Sequence, residues 1–196
     1  MALAGRERVG LGAWFLIWAL GLCFGACGKY AAPRPPEDFS PREVDALQAA
    51  ADLQGVQLSW RAPERDMRGR PLKSIEGYWI YRKEIAQLSD IMDVSKPDVL
   101  LAVIPDTHLL ELDKMRAEAE KAGRLTRRVK VEEEKKRFAY TDLNVQSGKT
   151  YLYRIVPFNQ GGVAGHYNQL VKVLFRGDSS EIAFIPYRAF VEVSFE

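Results

Sequence analysis

Cysteine and histidine are scarce in this chain of 196 residues, which has two of each. Two cysteines and two histidines are too few for a Cys-rich zinc module or for a disulfide scaffold, so neither class is predicted. The charge is also nearly balanced, with 28 basic and 26 acidic residues and a net charge of +2. A general nucleic-acid-binding protein has a clustered basic surplus. Nucleic acid is therefore not predicted as a partner.

The chain does have an ordinary apolar content of 47%. This content is typical of a globular protein and excludes disorder of the whole chain. The length predicts one folded domain with short additions. The two cysteines, Cys23 and Cys27, lie four residues apart near the N-terminus. Their surroundings indicate where the protein is sent.

The first 26 residues have the three parts of a secretory signal peptide. Arg6 and Arg8 make a charged beginning, residues 11–24 form an apolar run, and a Gly-Ala pair directly precedes Cys27. The apolar run is shorter than the about 20 residues that a membrane-spanning helix needs. An ordinary secretory signal that leaves Cys27 free, or an uncleaved N-terminal anchor, also fits this pattern.

The segment FGAC, residues 24–27, resembles the bacterial lipobox, whose cysteine is lipidated and becomes the first residue of the mature protein. The resemblance implies lipid attachment at Cys27, and several acyl chains on one cysteine give stable membrane attachment. By the same resemblance, Gly28 in place of Asp after the cysteine implies retention in the outer membrane. We therefore expect residues 1–26 to be a lipoprotein signal peptide.

Residues 27–41 are rich in proline, with Pro33, Pro35, Pro36 and Pro41. Proline fixes φ and lacks an N–H, so this composition favours an extended, semi-rigid spacer over a helix or a central strand. We therefore predict a Pro-rich tether over residues 27–41 and a folded domain over residues 42–196.

The domain is predicted to consist mainly of short strands separated by turns. Apolar and polar residues alternate with a period of two, as in half-buried strands. An uncharged run at residues 99–105 predicts a buried strand, and residues 181–196 predict one or two more strands split at Pro186. The alternating segments are residues 56–60, 75–84, 138–142, 151–159 and 168–175. This order indicates an all-β antiparallel sandwich.

One helix interrupts the strands. Asp106 or Thr107 is a suitable cap for a helix that begins near His108, and Gly123 is a suitable stop. Apolar residues recur at helical spacing and form one stripe, which needs an apolar surface to cover it. The stripe consists of Leu109, Leu112, Met115 and Ala119.

The segments GVQLSW, EGYWIYRKE and FAYTDLNVQSGKTYLYRIVPFNQGGVAG resemble a fibronectin type III domain. The resemblance covers residues 41–83 and 138–175 and implies an immunoglobulin-like β-sandwich with a tyrosine corner. In this likeness, the charged segment 84–137 is a helical insertion. The residues at the family's positions are Trp60, Tyr78, Leu143, Gly148, Tyr151, Tyr153, Asn159 and Gly162.

The sequence offers little for catalysis or metal binding. His108 is expected to be a solvent-facing residue of the first helical turn, and His166 has no serine or cysteine nucleophile motif to serve. The Gly-rich segment 159–165 lacks the spacing of a phosphate-binding loop and predicts a turn between strands. We therefore predict no enzyme, no cofactor and no metal site.

Two groups of residues are candidate contacts with a partner or a glycan. Trp79 and Tyr81 share one face of a strand, where exposed rings stack on a glycan or anchor a protein. If the insertion covers Trp79 and Tyr81, these residues belong to the core. The apolar stripe of the helix favours this alternative, because its leucines need an apolar surface to pack against. The second group, Arg124, Arg127 and Arg128, has either a solvated role or a contact with anionic lipid headgroups.

The sequence as a whole indicates a lipid-anchored protein of the bacterial cell envelope, expected in the outer membrane. Its predicted role is a non-catalytic binding or scaffolding module for an envelope protein. The alternative is an accessory lipoprotein of envelope biogenesis that contacts lipopolysaccharide or a glycan.

Overall fold

A computed structural model describes residues 36–91, 93 and 95–187 of the chain. Cys27, the predicted signal peptide and residues 27–35 of the predicted tether lie outside the described residues. Their assignments therefore stay predictions.

The described residues form eight strands and one α-helix, which we name in chain order. None of the described helices is both long and apolar enough to cross a membrane. The helix α1 is His108–Lys121. The strands are β1 Asp45–Ala51, β2 Val56–Arg61, β3 Gly77–Ile85, β4 Val99–Pro105, β5 Arg137–Asp142, β6 Thr150–Phe158, β7 Gln169–Leu174 and β8 Glu181–Pro186.

The strands pair into two sheets, one in the order β1-β2-β5 and one in the order β4-β3-β6-β7-β8. Every pairing within the sheets is antiparallel. The chain crosses between the sheets at β2–β3, β4–β5 and β5–β6, as in immunoglobulin-like sandwiches. The predicted fold class, an all-β immunoglobulin-like sandwich with a helical insertion, is confirmed.

The core lies between the two sheets and follows the period of two. Val56, Leu58 and Trp60 of β2 are at most 3% exposed, while the residues between them face outward. Across the core, the Trp60 ring meets the Tyr78 ring edge-on at a centroid distance of 5.3 Å. Phe138 of β5 stacks on Trp60 from the same sheet at 6.0 Å. Aromatic packing thus joins β2, β3 and β5 at one end of the core.

The insertion differs in one strand from its prediction. The run Val99–Pro105 forms β4, but β4 is an edge strand that pairs only with β3, and much of it is exposed. The expectation of a buried strand is therefore wrong. An uncharged sequence permits burial but does not provide the neighbouring strand that burial requires.

The helix α1 begins and ends near its predicted limits. Thr107 makes no capping hydrogen bond with its side chain, and the Asp106 carboxylate instead accepts the His108 N–H at 3.0 Å. After α1, Gly123 adopts a φ of +65°, and the Arg124 N–H closes the turn on the Ala119 carbonyl. This left-handed glycine is the predicted helix stop.

The end of the predicted tether packs on the domain. Pro36–Phe39 form a short 3-10 helix, which differs from the expected extended conformation. Ser40 is buried, and Pro41 pairs with Asp66 in an isolated bridge. The fixed φ of proline also suits the start of a helical turn, so proline content alone does not decide between the two conformations.

Candidate functional site

Trp79 and Tyr81 lie on the outer face of the five-stranded sheet, away from the core. Both rings are half-buried. Trp79 stacks on Phe158, with ring centroids 4.4 Å apart and an interplanar angle of 10°. In the sheet, Val103 of β4 is its neighbour on one side and Val156 of β6 on the other. The predicted pair therefore belongs to an apolar strip on this face.

Arg154 fixes the other end of this strip. Its guanidinium lies over the Tyr81 ring at 4.5 Å and over the Tyr167 ring at 5.2 Å. It also forms a salt bridge with Asp98 at 2.6 Å, and its Nη1 donates to the Tyr167 hydroxyl at 3.2 Å. Burial, and next a hydrogen bond with Tyr187, raise the pKa of Tyr167 above its usual value. Tyr81 is thus held in one position by a cation–π contact.

The edge strand β4 completes this outer surface. Val99, Leu100 and Val103 are 54%, 48% and 50% exposed, and β4 has no charged residue in its length. Natural edge strands are usually protected from pairing by charged residues, bulges or a covering segment. Within the strand, the described residues show two such features, a bulge between the partners of Ile80 and Tyr81 and a proline, Pro105, at its end. We call this surface, β4 together with Trp79 and Tyr81, the β4 surface.

The helix does not supply the cover that was expected for Trp79 and Tyr81. Leu109 packs against the inner core cluster, and Leu112 lines a groove on the Leu72 side of the domain. The expectation that the helical leucines meet the aromatic pair is wrong in this respect. An amphipathic stripe predicts that a helix packs, but its period does not identify the surface that receives it.

The three predicted arginines follow α1. Arg124 comes directly after Gly123, and Arg127 and Arg128 lie on the 3-10 turn Thr126–Arg128. All three are exposed, and within the described residues none forms a salt bridge. No hydrogen bond, salt bridge or cation–π contact of the described residues joins them to Trp79 or Tyr81. Arg124 and Arg128 instead line a groove with Met115 and Leu125, and neither ring lines that groove.

A buried polar cluster lies around His108. His108 is 6% exposed, so the expectation of a solvent-facing residue is wrong. Its Nδ1 lies 2.7 Å from Asp106 Oδ1, and the Tyr78 hydroxyl donates to Asp106 Oδ2 at 2.6 Å. Burial, and next the Asp106 charge, raise the pKa of Tyr78 far above its usual value, so the hydroxyl stays a donor. Sequence reasoning missed this cluster because its members come from β3 and from the start of α1.

A second buried cluster joins the two sheets. Asp142 Oδ2 accepts hydrogen bonds from Arg82 Nη1 at 2.7 Å and from the Tyr153 hydroxyl at 2.8 Å. Burial, then the Asp142 charge, raise the pKa of Tyr153, so this hydroxyl also stays protonated. Since every member is satisfied by another, the role of this cluster is structural.

The tyrosine corner is present with one change. The Tyr151 hydroxyl accepts a hydrogen bond from the Gln146 N–H at 3.0 Å, which ties the start of β6 to the preceding turn. Leu143, expected as the apolar partner of this corner, is 65% exposed, and Val145 packs against the core instead. In this chain Val145 therefore takes the place against the core that was expected of Leu143.

No family model matches this sequence, and no curated protein matches it. Among solved structures, the chain is similar to the twitchin kinase region of C. elegans (Fn31-NL-kin-CRD-Ig26), with 18% identity and a TM-score of 0.40. That match covers 72% of this chain and 18% of the twitchin region, so the chain spans about a fifth of its length. It is also similar to the third fibronectin III domain of the human KIAA0343 protein, with 8% identity, a TM-score of 0.34, and coverage of 81% and 93%. The fold class stands on the strand order itself.

Proposed function

We propose that this chain is a lipid-anchored protein of the bacterial cell envelope, in the outer membrane, and that its fibronectin type III-like domain is a non-catalytic binding or scaffolding module. The lipid anchor is Cys27, which follows an apolar run and a Gly-Ala pair. Residues 27–35, which precede the end of the tether that packs on the domain, then hold the domain away from the membrane, since a proline-rich segment is semi-rigid. This lipid-anchor proposal rests on the sequence.

The β4 surface is the observation that carries the binding function. An extended segment of a partner protein pairs with the edge of β4, which has no second partner strand among the described residues. Its side chains meet Leu100 and Val103, the neighbours of Tyr81 and Trp79 on β4. Backbone hydrogen bonds supply affinity in this mode, and the flanking apolar side chains supply specificity. A contiguous exposed apolar surface on a monomer marks an interaction site of this kind.

Site-specific photocrosslinking from native membranes tests this function. A photoreactive residue at Val103 is expected to capture one envelope protein, and Leu100→Lys is expected to abolish the capture because it buries a charge in the interface. A photoreactive residue at Leu143, which is 65% exposed on the β5–β6 connection, is the matched control. Equal capture from both positions, or none from Val103, contradicts the proposal.

The anchor has its own test. Mass spectrometry of the membrane-extracted protein is expected to find acyl chains on Cys27 and no residues before it. In a Cys27→Ser variant, the protein is expected to leave the membrane fraction. A variant that is processed and anchored like the wild type refutes the lipid anchor.

The second candidate function is contact with lipopolysaccharide or a glycan. It is favoured by the exposure of Arg124, Arg127 and Arg128, since arginine suits phosphate groups by geometry and charge. Titration with lipid A is expected to saturate and to weaken when the three arginines are replaced by alanine. A flat titration, or one that the substitutions leave unchanged, removes this candidate.

A further inference from the structure

A groove of about 1040 Å³ separates α1 from the loop before β3 and from the segment that follows the helix. Five aliphatic side chains line it, two from α1, two from the segment that follows the helix and one from the loop before β3. They are Leu109, Leu112, Val129, Val131 and Leu72. The volume is that of a small-molecule pocket, which holds one ligand with an apolar part.

His108 brings an unpartnered polar atom to this groove. The imidazole is more than nine-tenths buried and lines the groove. Asp106 Oδ1 takes both the His108 N–H at 3.0 Å and Nδ1 at 2.7 Å, and Asp106 Oδ2 is occupied by the Tyr78 hydroxyl. The carboxylate thereby fixes the ring and its tautomer, as second partners do for binding histidines. Nε2 has no hydrogen-bond partner among the described residues and is not one of their fully enclosed polar atoms, so a ligand in the groove can reach it and accept or donate there.

The charges around the groove favour an anion. Three basic residues that line the groove are exposed and form no salt bridge within the described residues: Lys73, Arg116 and Lys130. Among the acidic residues that line it, only Asp113 is likewise exposed and without a salt bridge in that part of the chain. Of the other lining charges, Asp66 pairs with Arg70, while Glu64 and Glu133 share Lys136. With five basic and four acidic side chains, the lining carries a net charge of +1. His108 is also the first residue of α1, where the helix dipole is positive.

We propose that this groove binds a single-chain amphiphile with a phosphate head. The chain lies along Leu72, Leu109 and Leu112, and the head lies at His108. Near neutral pH, a fraction of the phosphate monoester molecules keep one proton, and this P–O–H group can donate a hydrogen bond to Nε2. The other phosphate oxygens accept hydrogen bonds from the basic side chains. Lys73 and Arg116 supply the surplus positive field that attracts it.

This site is independent of the proposed function, because it needs neither the lipid anchor nor a protein on the β4 surface. Binding is measured by calorimetric titration of the full chain carrying Cys27→Ser, with decyl phosphate below its critical micelle concentration. We expect saturable binding of one decyl phosphate per chain. Decanol has the alkyl chain but no phosphate, and inorganic phosphate has no alkyl chain. Each is therefore expected to bind at least tenfold more weakly than decyl phosphate. The absence of saturable binding, or equal binding of inorganic phosphate, overturns the proposal.

Two leucines of α1, Leu110 and Leu112, give a matched pair of variants. Leu112 lines the groove, whereas Leu110 is 54% exposed and does not line it. Leu112→Asn is expected to weaken decyl phosphate binding about tenfold, which is the lower end for one lost apolar contact. Leu110→Asn is expected to leave the affinity unchanged. Equal effects of both variants mean that the ligand does not lie in the groove and refute the proposal.

The head-group contact is tested at positions that do not affect folding. Lys73→Ala changes an exposed side chain and is expected to weaken binding about threefold at low salt, with a smaller difference at high salt. Lys114→Ala, an exposed residue of α1 outside the groove, is the control of equal charge. The head-group assignment is wrong if both lysine variants have the same affinity.

Discussion

The buried carboxylate of Asp142 accepts hydrogen bonds that link the two sheets, and the substitution Asp142→Asn tests how much these bonds stabilise the fold. Asp142 is 1% exposed at the end of β5, and its donors Arg82 and Tyr153 come from the opposite sheet. The Asn144 N–H also donates to Oδ1 at 3.0 Å. Asp142→Asn keeps the shape of the side chain but removes its charge. The variant therefore tests the charge and the acceptor atoms of the cluster at nearly constant packing.

The expected cost follows from the number and kind of bonds that are lost. Breaking a buried ion pair at one partner costs about 3–5 kcal/mol, because the other charge stays buried. The Arg82 side chain is 19% exposed, so water reaches part of it and reduces the cost. The amide of Asn also presents N–H groups where Oδ2 accepted two charge-assisted hydrogen bonds. We therefore expect Asp142→Asn to lower the free energy of unfolding by about 3 kcal/mol.

Urea denaturation measures this effect against a surface control. For a slope of about 2 kcal/mol per M, 3 kcal/mol lowers the midpoint by about 1.5 M with no change in slope. The control is Asp45→Asn, whose partner Arg61 lies 3.7 Å away with both side chains more than 40% exposed. Its expected effect is below about 0.5 kcal/mol. The reasoning is refuted if the two variants lose similar stability.

Two further predictions concern the insertion and its edge strand. The N–H of Ala86, and next the Lys96 ammonium, hold the pKa of Asp90 at about 2. A lowered pKa in the folded state stabilises the fold at pH values above the unfolded pKa of about 3.9, and this stabilisation is lost as the pH falls toward 2. The wild type is therefore expected to lose its stability advantage over Asp90→Asn between these pH values. Urea midpoints measure the difference. A Cβ atom added at Gly77 would clash with a backbone carbonyl of β4. Gly77→Ala is therefore expected to expose the amides of β4 to hydrogen exchange, while the amides of β2 stay protected. Equal protection of the β4 amides in the variant and the wild type contradicts this prediction.

The sandwich was predictable because its signals are local. Val56, Leu58 and Trp60 turn inward at every second position, and a half-buried strand needs nothing else to be recognised. The stop of α1 at Gly123 was predictable for the same reason, since a positive φ is a property of one residue. Predictions of this kind depend on the residue and its nearest neighbours in sequence.

The candidate site was only partly predictable because it depends on contacts between distant segments. Trp79 and Tyr81 were identified by their shared face, which is a local property, and the structure places them on one strip. His108 was assigned to solvent, and its burial comes from Asp106 together with Tyr78, which lies 28 residues before Asp106. The run Val99–Pro105 likewise has the sequence of a buried strand and the position of an edge. No periodicity contains that information.

The placement of apolar residues in the insertion is an argument for binding. Only Ala119 and His108 of α1 are buried, while Leu110 and Met115 are 54% and 41% exposed. Exposed aliphatic side chains add nothing to the stability of a monomer and increase its tendency to associate. The insertion does contribute to the core through Ile104 and Leu109, but Leu110 and Met115 point away from it. A segment that departs from the rules of a stable surface is where function is expected, and both the β4 surface and the groove under α1 are built by this insertion.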